Sequence, residues 1–305
     1  MNEPFDLAPA LDGTRHVIDG ENGRISYYAS APAETARHER PMLFVHSVNA
    51  AASAYEVKPL YDHYARERPV FALDLPGYGF STRRAIRYEP RVMTDAVHAV
   101  VDAIVAAGHD LPIDAVALSL SCEFLGRAAD ERARAFATLG FISPTGFAEG
   151  AERRGAPETT RGIPWLYRGV TASQGLGRGL FAGLTSRPSI RYFLQKTWGS
   201  PDIDEGMFEY AHASAHQPGA RHAPFSFLSG YLFSNDISDV YDRLSLPIWM
   251  AHGSRGDFID YRRKVDYGDK PNWAIRGYET GALPHFEILD TLTADYDAFR
   301  ADAAL

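Results

Sequence analysis

The chain has a single cysteine, Cys122, among 305 residues. One thiol excludes an intramolecular disulfide and a zinc site built on cysteine pairs. No stretch approaches about 18 consecutive apolar residues, so no membrane-spanning helix is expected. No basic run interrupts a formal net charge of −8, and that balance disfavours nucleic acid and anionic membrane as partners. The first residues, Met1-Asn2-Glu3-Pro4-Phe5-Asp6, lack the basic and apolar segments of a signal peptide, which points to a cytoplasmic protein. The length lies at or a little above the size at which one core divides, so one main domain with a large insertion is expected.

What is present alternates. His16 to Asp19 and Arg24 to Ala29 read as strands around Gly20-Glu21-Asn22-Gly23, a hairpin signal. Short apolar runs come next at Pro41–His46, Pro69–Leu73, Ile113–Leu118, Thr138–Ile142, Pro247–Ala251 and Trp273–Arg276. Helical spacing separates them, over Ser53–Arg66, over Pro90–Ala107 and from Cys122. A last helix runs from about His285 to Arg300. Continuous apolar strands alternating with helices predict a mostly parallel sheet of eight strands, covered on both faces, with the hairpin as an antiparallel edge. Between Phe147 and about Asn235 the alternation stops. Residues 148–235 are therefore expected to form a mainly helical lid, and 1–147 with 236–305 the core.

In such sheets ligands bind at the carboxyl ends of the strands. His46-Ser47-Val48-Asn49, Asp74, Ser121, Ser143, Asp257 and His285 stand there. Ser121 occupies a sharp strand-to-helix junction, the place of a nucleophile elbow, usually G-x-S-x-G. Read as Ser119-x-Ser121-x-Glu123, it has neither glycine. Ser119 lies two residues early, in what reads as strand, and Cys122 reads as a small buried hydrophobe.

Taken together, His46-Ser47, the loop Asp74-Leu75-Pro76-Gly77-Tyr78-Gly79-Phe80-Ser81, the Ser121 junction, Asp257 after the seventh strand and Gly281-Ala282-Leu283-Pro284-His285-Phe286 resemble the α/β-hydrolase superfamily, from about His16 to the last helix. The resemblance implies that Ser121 attacks a carbonyl, His285 takes its proton and Asp257, rather than Asp260, holds the imidazole. It implies an oxyanion site made by the backbone N–H groups of Val48 and Cys122. Ser47, Ser119 and Glu123 depart from the family's glycines and would modulate the site, Glu123 either facing solvent or raising the histidine pKa.

The expected activity is hydrolysis of a small, fairly apolar carboxylic ester through an acyl-enzyme, on a small-molecule substrate, with no metal and no organic cofactor. The same groups could instead cleave a C–C bond or transfer an acyl group, and a non-catalytic binding protein on this scaffold is the rival from another class. His212 and His216 stand four apart at metal-ligand spacing, but no carboxylate-rich partner segment accompanies them. Oligomeric state is not legible.

Overall fold

The computed structural model describes residues 6–31, 39–172 and 174–303. The opening hairpin pairs β1 (Thr14–Gly20) with β2 (Gly23–Ser30) around the anticipated turn. The remaining strands are β3 (Met42–Val45), β4 (Val70–Asp74), β5 (Ile113–Leu118), β6 (Phe136–Ile142), β7 (Ile248–Gly253) and β8 (Trp273–Tyr278). They form one sheet in the order β1-β2-β4-β3-β5-β6-β7-β8, parallel from β4 to β8 and antiparallel at the hairpin, the architecture expected from the alternation.

Neighbouring residues in each central strand enter different cores, because successive side chains point to opposite faces. Leu43, Val45, Ala115, Ala117, Phe141 and Met250 pack on one face. There they meet α2 (Pro90–Ala106) and α3 (Ser121–Glu131). Phe44, Val116, Leu118, Ile142, Trp249 and Ala251 pack on the other. They are covered by α1 (Lys58–Tyr64), through Leu60 and Tyr64, and by the C-terminal helix, through Leu292 and Tyr296. Both faces are buried, which is why the strands read as unbroken apolar runs.

The stretch between β6 and β7 carries no strand among the described residues. It carries α4 (Pro164–Ala172), α5 (Gln174–Leu184), α6 (Arg187–Trp198), α7 (Glu205–Ala215) and α8 (His222–Leu228), then α9 (Ile237–Arg243), which returns to the core beside α3. After β7 come α10 (Val265–Gly268), α11 (Pro284–Glu287) and α12 (Leu289–Asp302). Among the described residues no helix is long and apolar enough to cross a membrane.

The inserted stretch is tied to the core by charge. Glu123 on α3 is fully buried and pairs with Arg153, whose Nη1 also donates to Ser234 O at 2.9 Å. The same carboxylate accepts the Thr145 hydroxyl and the Ser234 N–H. Glu123 therefore faces the start and end of the insertion rather than solvent. Two buried charges are tolerable here because every carboxylate oxygen is occupied. Replacing Arg153 by leucine leaves Glu123 buried without its counter-charge, and should lower stability by about 3–5 kcal/mol, read from urea unfolding. A loss under about 1 kcal/mol would show that the pair is not what anchors the insertion.

Candidate active site

β3 and β5 end side by side, with Val45 opposite Ala117, and both chains then leave the sheet. β5 stops at Leu118, and Ser119 adopts φ 53 before the chain enters α3. A left-handed non-glycine residue is uncommon and marks a sharp turn held by its surroundings. Here Ser119 N–H donates to Ile142 O at 2.8 Å and Ser119 O accepts Cys122 N–H at 3.1 Å. The strand-to-helix turn therefore lies at Ser119, two residues before the expected position.

Ser121 lies beyond that turn. It is the first residue of α3, is fully buried, and donates its hydroxyl to His46 O at 2.5 Å. Helix geometry turns it inward, where a polar side chain needs a partner, and the end of β3 supplies one. Centred on Ser119 the sequence reads Ala117-x-Ser119-x-Ser121, with a small residue two places to each side. That was the readable signal, since close packing around such a turn asks for small residues and only permits glycine. The Cys122 N–H is engaged by Ser119 O, and its buried thiol donates to Ala117 O at 3.2 Å with its pKa pushed well up by burial. The N–H of Leu120, the residue after Ser119, has no hydrogen-bond partner among the described residues, nor does that of Val48.

The loop carrying Val48 is shaped by Glu56, which the sequence reading did not single out. Glu56 lies on a short 3₁₀ turn (Ala54–Val57) and is almost fully buried. Its Oε2 accepts Ser47 N–H at 2.7 Å and its Oε1 accepts Asn49 Nδ2 at 2.9 Å. These donors flank Val48. Burial raises the carboxyl pKa, and the hydrogen bonds from Ser47 and Asn49 oppose the rise. From the other side, His46 Nε2 accepts Leu75 N–H at 3.0 Å while Nδ1 donates to Ser47 O at 2.6 Å, joining the ends of β3 and β4. Burial lowers the His46 pKa to about 4, so it stays neutral. Asp74 is likewise structural: its carboxylate takes the N–H of Phe80 at 3.0 Å, and burial raises its pKa to about 6. Gly79, at φ 47, sits so close to that carboxylate that any side chain would overlap it.

The expected triad is not assembled. His285, on α11, is fully buried, with Nε2 donating to Glu56 O at 2.7 Å and Nδ1 buried without a partner among the described residues. Its pKa is lowered to about 4, mainly by burial, against a small rise from the Glu56 carbonyl. Asp257 is about half exposed and lies 3.5 Å from the Lys196 ammonium. The reason is α6. Its terminal carbonyls accept from both loops, Lys196 O from Asp257 N–H at 3.0 Å and Thr197 O from Ala282 N–H at 2.8 Å. Trp198 packs on Phe286, ring centroids 5.4 Å apart. Asp260 is no substitute, being spent on Arg262 and Glu149 N–H. The residue of the β8–α11 loop that meets the end of β6 is Ala282, whose carbonyl accepts the Ser143 hydroxyl at 2.7 Å.

No family model and no curated protein sequence matches the chain. Solved structures do. A serine hydrolase involved in carbazole degradation superposes with a TM-score of 0.70 at 12% identity, covering 94% of this chain and 98% of its own. An esterase from Exiguobacterium antarcticum gives 0.69 at 12%, covering 95% and 100%. An epoxide hydrolase gives 0.69 at 17%, covering 95% and 99%. At these identities the likeness is one of fold: the chain has the α/β-hydrolase fold along nearly its whole length.

Two variants probe this geometry. Glutamine at 56 can accept from one of the two donors and turns its NH₂ toward the other, so Glu56→Gln should cost about 1–3 kcal/mol in urea unfolding. An unchanged midpoint and slope would mean the loop does not depend on the carboxylate. For His285, folding lowers the pKa from 6.5 to about 4. Between those values the unfolded chain binds a proton that the folded chain does not, so this contribution to stability is full above the window and is lost as pH falls through it. The stability gap between wild type and His285→Gln should therefore shrink by up to about 1.4 kcal/mol per pH unit from neutrality toward pH ~4. His46 and Asp74 titrate in both proteins and cancel in the difference. A gap that stays constant with pH would contradict a buried, neutral His285.

Proposed function

We propose that the chain is a serine hydrolase acting on small, fairly apolar carboxylic esters, with Ser119 as the nucleophile. The observation that carries this is the positive φ at Ser119, at the carboxyl end of β5, followed by an unengaged Leu120 N–H. Such a turn lifts a hydroxyl clear of the sheet and aims the next amide at the carbonyl oxygen that Ser119 would attack. The N–H of Val48, held between the two donors to Glu56, is the second oxyanion donor. Losing one such donor typically costs about 2.7–4 kcal/mol of transition-state stabilisation. Structural neighbours described as an esterase and as a serine hydrolase support the reaction class. Residues 148–235 form the lid in this reading, and the core is 1–147 with 236–305.

The base in this reading is His285. To serve Ser119 its imidazole must leave the Glu56 carbonyl, and Asp257 must leave Lys196, which calls for release of the α6 carbonyls from both loops. A second reading has an observation of its own in its favour: both side chains are committed elsewhere, as in a binding protein that keeps the scaffold without turnover.

A fluorophosphonate probe separates the two. Wild type and Ser121→Ala should both be labelled, and Ser119→Ala should not. Turnover of p-nitrophenyl acetate should fall by about three orders of magnitude or more in Ser119→Ala. Labelling that survives in Ser119→Ala but is lost in Ser121→Ala would return the nucleophile to 121. A wild type that takes no label and turns over no short ester would establish the binding protein.

A further inference from the structure

Two cavities of about 210 and 260 Å³ open in the inserted segment, and both are lined by Arg178 and Arg221. Arg178 rises from α5, and Arg221 stands immediately before α8. The first cavity runs over Phe181 and Ala215, the second over Tyr167, Val170 and Phe225. Among the described residues no aspartate or glutamate lines either one. Among the described residues neither guanidinium makes an ion pair or a side-chain hydrogen bond, whereas the neighbouring Arg187 and Arg191 are each paired with a glutamate. His216 and His222 add further polar edges, and the His222 pKa is lowered by burial and then by Arg221.

We propose that Arg178 and Arg221 form a binding site for a small organic anion, a carboxylate carried on one ring or a short chain. The planar guanidinium fork matches a carboxylate in two parallel hydrogen bonds, and an unpaired arginine retains that capacity. Phe181 and Phe225, edge to face at 6.2 Å, provide the apolar floor for the body of the ligand. The volume sets its size. Each cavity exceeds the roughly 150 Å³ that accepts benzene. Each falls short of the roughly 300 Å³ at which sites for drug-sized ligands begin. The chain's net charge of −8 would repel anions at long range, so recognition must come from local geometry.

The floor also reaches the core. Val170, Phe181, Ala215, Ala220 and Phe225 form one cluster, and Ala51 packs against it. Ala51 lies three residues after Val48, so the apolar cluster beneath the two cavities reaches the loop that carries the proposed oxyanion donor. Binding here does not require Ser119 to react, and it is measured directly.

The probe is benzoate, compared with benzamide, which has the same shape and no charge. Calorimetric titration of the full chain should show benzoate binding at least about tenfold more tightly than benzamide. Arg178→Gln and Arg221→Gln should each weaken benzoate about tenfold and leave benzamide unchanged. Neither guanidinium has a partner to lose among the described residues, so the melting temperature should stay put, and the benzoate–benzamide comparison in wild type needs no variant. The same affinities should appear in Ser119→Ala, which keeps this result separate from the fate of the hydrolase reading. Equal affinity for the two probes, full benzoate affinity in both glutamine variants, or no benzoate binding up to about 10 mM would each overturn the proposal.

Discussion

Beyond Val45 and Ala117 the sheet no longer fixes β3 relative to β5, yet the candidate site is built on the two segments that leave these strand ends. The hydrogen bond from the Ser121 hydroxyl to the His46 carbonyl supplies the missing constraint. It fastens the first turn of α3 to the exit of β3, and with the helix so placed, Ser119 must reverse the chain within two residues of the end of β5. That reversal requires the left-handed backbone at Ser119, at a cost of about 1–3 kcal/mol for a residue with a side chain. The amide bonds to Ile142 and from Cys122 hold the turn in place. Ser121 is buried at this junction, whereas Ser119, two residues earlier, is only partly buried.

The apparent loss of the two glycines disappears once the turn is located. Ala117 and Ser121 hold the flanking positions, and both are small. Glu123 lies one helical step further on, where bulk does no harm because the side chain leaves toward the insertion. Its pairing with Arg153, together with Arg127 on Asp236 at 2.5 Å, gives α3 a charged seam against the segment that enters and leaves the insertion. Such buried pairs contribute little net stability compared with apolar packing, but each fixes a unique register between the elements it joins.

The insertion is part of the site's frame. The last carbonyls of α6, which a helix leaves without internal partners, are taken up by the loops of Asp257 and of Ala282. Gly199 closes the helix in the left-handed conformation and lets the chain turn away. The orientation of the acidic and basic candidates is therefore set by the insertion, and any motion of α6 would be felt in both loops at once. On the opposite side, Glu56 sets the loop of Val48 with its side chain and holds His285 with its own carbonyl. One buried residue thus touches both the Val48 loop and His285.

The eight strands and the hairpin edge were legible in the sequence because they come from local patterning: apolar runs buried on both faces and turn residues between them. The segments at the carboxyl ends of the strands were legible too, since the end of each strand is known once the strand is. Which atom stands where was not. Two serines two residues apart in one run differ only in backbone torsion, and that torsion was decided by contacts with β3 and β6. The partners of His285, Asp257 and Glu123 come from residues 22 to more than 200 positions away in the chain. Periodicity places a side chain on a face, but only the packed chain decides which oxygen or charge it meets there.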